Sequence, residues 1–219
     1  MTVEEQSNRG RREEVLMAAA AVFSDKGYRA STIQDIGREL GTTSAALYYY
    51  FGSKQEILGE LIVRPVRQLR EMAAEVARSP LSNREKLGEI VRRHIDMMLK
   101  QRDLFTIFLR ERVELEPQHA GRLAEMEEEY YRQIRAIIED AARAGEMRAV
   151  NLQMLALGII GMTNWVLRWH KPDGALGADE IARAYMDILG GGAFKDPPGS
   201  AGAAPVPVEA ARRRVKRAS

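Results

Sequence analysis

The 219-residue chain contains no cysteine, only three histidines and only two tryptophans. The missing cysteines exclude disulfides and thiolate-based zinc or redox sites. His94, His119 and His170 are scattered, and neither an H-E-x-x-H nor a G-x-S-x-G pattern occurs, so the chain offers no metal spacing and no nucleophile elbow. No Gly-rich loop follows a strand pattern. An enzyme is therefore not expected, nor a metal or a bound cofactor. Long apolar runs are also lacking: "MLALGIIGMTNWVL", from Met154, falls short of the roughly 20 residues that span a bilayer. The start of the chain shows no apolar leader with a cleavage pattern. The expectation is a cytoplasmic protein without a membrane partner.

Charge of one sign is scarce as well. Lys and Arg number 33 against 31 Asp and Glu, a net charge of +2. Residues 1–54 hold seven of each sign, whereas residues 195–219 hold six basic against two acidic. That last stretch, "KDPPGSAGAAPVPVEAARRRVKRAS", is rich in Pro, Gly and Ala with almost no bulky apolar side chain, a composition too poor to offset the entropy of ordering. A disordered basic tail is expected. Its Arg212, Arg213, Arg214, Lys216 and Arg217 either attract nucleic acid or are simply solvated.

What is present is helical periodicity. Val15, Ala19, Val22 and Phe23 recur at helical spacing, then Gly27 and the Ser31-Thr32 pair supply a stop and a new start. A first helix over 11–26 follows. Thr32 caps a short second helix with Ile33, Ile36 and Leu40 on its apolar side, and Gly41 ends it. Thr42, Thr43 and Ser44 offer caps for a third, "SAALYYYF", before Gly52-Ser53. Two short helices joined through a glycine form the helix-turn-helix pattern. Further helices are expected at 54–78, with a possible bend at Pro65, and at 83–101, 103–115, 117–144, 150–170 and 178–190. The fold class is all-α: a three-helix, helix-turn-helix head and a larger helical body.

The run "GTTSAALYYYFGSK" sets four aromatics side by side, and a helix can bury only one face. Leu47 and Phe51, four apart, face the core. Tyr48 and Tyr49 then point outward, where a phenol offers a flat surface and one O–H donor to a phosphate. Thr42, Thr43 and Ser44 present short hydroxyls at the helix start, and Ala45 and Ala46 let the backbone approach a groove floor.

These residues carry a resemblance. "TIQDIGRELGTTSAALYYYFGSKQEIL", residues 32–58, resembles the DNA-binding head of the TetR/AcrR family of bacterial transcriptional regulators, and "AAAAVFSDKGYRAST" extends the likeness to about 11–62. The resemblance implies DNA contacts from Thr42, Thr43, Ser44, Ala46, Tyr48 and Tyr49, with Thr32 and Lys54 anchoring phosphates at helix starts. Family members often carry Lys where this chain has Ser44, so the operator sequence does not transfer. With no net charge on the head, affinity must come from the placement of Arg9, Arg11, Arg12, Arg29 and Lys54. The implied organisation is a flexible arm over 1–10, a DNA-binding head over 11–62, a ligand-binding and dimerisation body over 63–194 and the tail from 195.

In the body, Leu152, Leu155, Ile159 and Val166 form one apolar stripe, while Leu157, Ile160 and Met162 are apolar on other faces. Gly158 and Gly161 permit close helix approach. With Ile181, Tyr185, Ile188 and Leu189 of the last helix, this makes a four-helix seam across a two-fold axis, hence a homodimer through 150–170 and 178–190. Phe105, Phe108, Met162 and Trp165 are candidates to line an apolar tunnel, with Arg112 and Arg168 holding an anionic head group. The segment "NWVLRWHKPDG" is similar to the corresponding part of TetR-family regulators of fatty-acid and steroid degradation that respond to acyl-CoA thioesters. The implied function is a repressor released from its operator by an acyl-CoA. A regulator of an efflux gene, sensing a cationic or aromatic drug through Glu111, Glu114 or Glu116, is the alternative within the family. A helical interaction protein without DNA binding is the alternative outside it. The acidic run "EMEEEYY", 125–131, reads as a solvated helix face.

Overall fold

The structure, a computed structural model, describes residues 3–174 and 176–191. These fold as helices α1 (Val3–Lys26), α2 (Ile33–Leu40), α3 (Ser44–Tyr50), α4 (Lys54–Arg78), α5 (Asn83–Lys100), α6 (Arg102–Glu111), α7 (Pro117–Arg143), α8 (Leu152–Trp169) and α9 (Ala178–Gly191), with a 3-10 turn over Arg112–Glu114. Among the described residues there is no strand.

Local chemistry fixes the helix-turn-helix. Thr32 caps α2 in a capping box: its side chain accepts from the Asp35 N–H, and its own N–H donates to the Asp35 carboxylate at 2.8 Å. Gly41 ends the helix with φ +68, a conformation that penalises any Cβ. Gly37 serves a different purpose. A Cβ there would lie 2.9 Å from the Thr42 carbonyl oxygen, so its absence lets the turn fold back until the Thr42 N–H bonds Gly37 O at 2.8 Å. Thr43 then caps α3 through the Ala46 N–H. Leu47 and Phe51 are buried in one core with Phe23 and Ile36.

Ser53 caps α4, which continues unbroken through Pro65 and buries Ile57, Leu58, Leu61 and Ile62. The expected border between head and body, after residue 62, thus falls inside one continuous helix. Helix α7 packs along α4, and α5 packs against α9. Two expectations need correction. The arm expected over 1–10 is helical from Val3: no proline interrupts the run, and the helix extends back through Gly10 from the apolar-faced stretch after it. The helix expected over 103–115 shortens to α6 and the 3-10 turn. The tail from 195 lies outside the described residues.

Candidate DNA-binding face and effector cavity

Helix α3 divides its residues as helical period requires. Leu47 is buried, while Tyr48 and Tyr49 are 54% and 76% exposed. Thr42 and Thr43 are exposed, and Ser44 and Ala46 are half-buried beside them. Hydroxyls, small side chains and two phenols therefore share one open face, of a size and chemistry suited to a DNA groove and its phosphate edge.

Two residues expected on phosphates are occupied otherwise. Thr32 spends both its N–H and its hydroxyl hydrogen on Asp35. That carboxyl is held well below the ordinary range, first by Lys26 and then by Thr32, so a carboxylate already sits where an anion would bind. Lys54 turns inward: its ammonium donates to Tyr28 O and, at 2.5 Å, to Ser31 O, and stands 4.1 Å from the Tyr28 ring centre. Burial pushes its pKa down. It fastens the turn after α1 onto α4.

The other head cations fare similarly. Arg12 donates to Tyr50 O and Glu60 and lies over the Phe51 ring at 4.0 Å; it clamps α1 to the end of α3. Arg29 pairs with Glu114 at 2.8 Å and Arg11 with Glu14 at 2.7 Å. Arg9 is exposed. Sequence position made these arginines look alike, whereas packing gives most of them carboxylate or carbonyl partners.

In the body, a cavity of about 440 Å³ opens between five helices. Helix α4 contributes Val66 and Leu69, α5 His94, and α6 Phe108. Helix α7 contributes Glu127, Glu128, Tyr130 and Tyr131, and α8 contributes Leu157, Ile160 and Asn164. None of the lining residues is Lys or Arg. Arg112 reaches the wall indirectly, by a two-pronged pair with Glu127 at 2.8 and 2.7 Å.

Of the six residues expected to bind ligand, Phe108 alone lines this space. Phe105, three residues before it, is fully buried against His94. Met162 is half-buried outside the lining, and Arg168 is exposed. Trp165 is 63% exposed because helical period puts it on the outer face with Gly158 and Gly161 rather than on the face of Ile160 and Asn164. Conversely, Tyr130 and Tyr131 of the acidic run line the cavity. The signal was there: two adjacent tyrosines need not share the solvated face of the glutamates before them. His94 had no signal beyond the apolar residues at helical spacing from it, Ile90, Val91 and Met98.

The outer face of α8, with Met154, Gly158, Gly161, Trp165 and Trp169, is an exposed apolar stripe, and Ile188 of α9 is exposed as well. Head and body are tied by hydrogen bonds. Arg110 of α6 donates to Phe23 O at 2.7 Å, Gln55 of α4 donates to Glu114 O at 2.7 Å, and Ser24 bonds Asp103 at 3.0 Å.

A capped helix-turn-helix joined through one long helix to a cavity-bearing helical body defines a DNA-binding regulator with a sensory domain. The chain belongs to the TetR family: residues 15–61 match the bacterial regulatory proteins of the tetR family, and residues 80–193 match the tetracyclin repressor-like C-terminal domain. Members bind operator DNA and small-molecule effectors and act as dimers; they are regulators, not enzymes. The chain is similar to the HTH-type transcriptional repressor KstR2 of Rhodococcus jostii (strain RHA1), 28% identical over 82% of this chain and 89% of the relative. It is similar to the TetR family regulator PfmR of Thermus thermophilus, with a TM-score of 0.78 and 30% identity over 83% of this chain and 99% of that one. The same fold is found in AibR, solved in complex with isovaleryl coenzyme A and operator DNA, with a TM-score of 0.75 and 23% identity over 82% of this chain and 97% of that one. No described helix is long and apolar enough to cross a membrane.

Proposed function

We propose that the chain is a repressor that leaves its operator when the acyl part of an acyl-CoA thioester enters the cavity between α4 and α8. The observation that carries this reading is the double attachment of the segment from α6 to the 3-10 turn. Phe108 lines the cavity and Arg112 holds the lining residue Glu127, while Arg110 and Glu114 of the same segment grip the head. An acyl chain fits the apolar wall, and a phosphate of the head group outside it competes with Glu127 for Arg112. Drawing Arg112 away shifts Glu114, and with it Arg29 and Gln55. A ligand moves the DNA equilibrium only through such a difference between states. The relatives named repressor and the coenzyme A complex of AibR support the same reading.

On DNA, Thr42, Thr43, Ser44 and Ala46 read the groove and Tyr48 and Tyr49 grip the backbone. The stripe on α8, with α9, forms a two-fold interface that presents two heads about 34 Å, or a multiple of it, apart. Trp165→Glu should leave the monomer folded and abolish the dimer in analytical ultracentrifugation; an intact dimer would place the interface elsewhere. A cationic ligand is the second reading, favoured by Glu127 and Glu128 in a wall without Lys or Arg. Calorimetry with acyl-CoAs, free fatty acids and cationic dyes separates the two. Binding of the dyes with failure of every thioester would overturn the acyl-CoA reading.

A further inference from the structure

At the inner wall of the cavity, His94 is 1% exposed and its Nδ1 lies 3.0 Å from the hydroxyl of Tyr130, itself buried. Its Nε2 has no hydrogen-bond partner. Two proton arrangements are open to the pair. If Nδ1 carries the proton, the Tyr130 O–H has no acceptor and Nε2 has no donor, leaving two buried groups unsatisfied. If the phenol donates to Nδ1, the proton is on Nε2 and a single donor is left over. The second arrangement leaves fewer buried groups unpaired. Burial also drives the ring pKa down to about 3, which keeps it neutral at physiological pH. The Asn164 side chain, another lining residue, acts on the ring as a hydrogen-bond partner and works against that shift, although no contact of full hydrogen-bond geometry joins it to Nε2.

We propose that His94, held by Tyr130 as its neutral Nε2–H form, is the specificity-determining donor of the cavity and binds a carbonyl oxygen on an otherwise apolar ligand. The proposal rests on the cavity being the effector site and deepens that reading, since the carbonyl is either that of a thioester or a ketone on the acyl skeleton. A buried donor left unpaired penalises any ligand lacking an acceptor there. Tyr130 is a positioning residue: it selects the proton's place on the ring.

The test uses the full chain and a matched pair of uncharged probes, 2-decanone and 2-methyl-1-decene, which differ by an oxygen in place of a methylene. Affinities are measured by NMR titration for the wild type, His94→Leu and Tyr130→Phe. The ratio favouring the ketone should fall about tenfold in His94→Leu, equivalent to about 1.4 kcal/mol, and by less in Tyr130→Phe, which keeps the ring and the packing. Long-range proton–nitrogen spectra should show Nε2 protonated in the wild type and a mixture of tautomers in Tyr130→Phe. A ratio unmoved by either substitution, a ketone that does not bind, or an Nδ1-protonated ring would overturn the proposal. Decanoyl-CoA and S-decyl-CoA distinguish the two levels of the argument. If the ketone depends on His94 while neither coenzyme A compound binds, the His94 assignment stands and the thioester reading falls. If decanoyl-CoA releases DNA with no dependence on His94, the reverse holds.

Discussion

The head and the cavity are built by opposite means. The helix-turn-helix is specified by contacts within a few residues: Thr32 with Asp35, Gly37 with Thr42, Thr43 with Ala46. The cavity is specified by residues from five helices, and the buried hydrogen bond in its wall, Tyr130 with His94, spans 36 positions. Short-range chemistry yields a shape that is the same in any body attached to it, as a part that reads DNA requires. Long-range packing yields a shape that each body can alter, as a part that senses one of many ligands requires.

Damage to the two regions should therefore look different. The largest effect is expected in the head: Leu47→Ala removes a side chain buried to 1% exposure and should cost about 2–5 kcal/mol, measured by chemical denaturation. Because α3 has few other anchors, operator binding should fail with it. A cost under about 1 kcal/mol would mean that α3 is held by something other than its apolar side.

The cavity should reveal itself next, through acid. His94 has a folded-state pKa of about 3, below the ordinary value of 6.5, so the unfolded chain binds its proton first. Its contribution is complete above pH 6.5 and is lost as pH falls toward 3. Between pH 6.5 and 5 the loss should reach about 2 kcal/mol. The pH dependence over that interval should flatten in His94→Leu; an unchanged slope would show that the ring is solvated or already charged.

The smallest effect tests the tie between regions. Arg110→Ala deletes the bond to Phe23 O and the pair with the buried Glu111 carboxylate, so its stability cost is followed beside that of Arg110→Lys, which keeps the charge; a charge-assisted hydrogen bond alone is worth about 1.5–3 kcal/mol. Effector affinity should hardly change, whereas release of DNA by effector should weaken about fivefold. Loss of both together would make Arg110 a ligand residue instead.

The same contrast explains what could be read from the sequence. The bounds of α2 and α3, the outward phenols and the buried Leu47 were legible because caps, a positive-φ glycine and a four-residue spacing act locally. The partners that Lys54 and Thr32 take within the chain, Tyr28 O and Asp35, were not legible, because spacing does not reveal which groups compete with a phosphate. In the body, Phe105 and Phe108 are three apart on one helix and look equivalent; only the approach of α5 and α7 makes one core and the other cavity wall. Trp165 looked like a pocket aromatic for the same reason. Its exposure depends on which side of α8 the rest of the body covers.

The central claim is that the cavity governs the head. It is tested most directly by titrating full-length protein against labelled DNA flanking its own gene, at fixed salt, with and without saturating long-chain acyl-CoA. A coupling of about 1–3 kcal/mol predicts operator affinity lowered about 5- to 150-fold, with bound DNA lowering thioester affinity by the same factor. Tight DNA binding that is unchanged by a thioester shown by calorimetry to occupy the protein would contradict it.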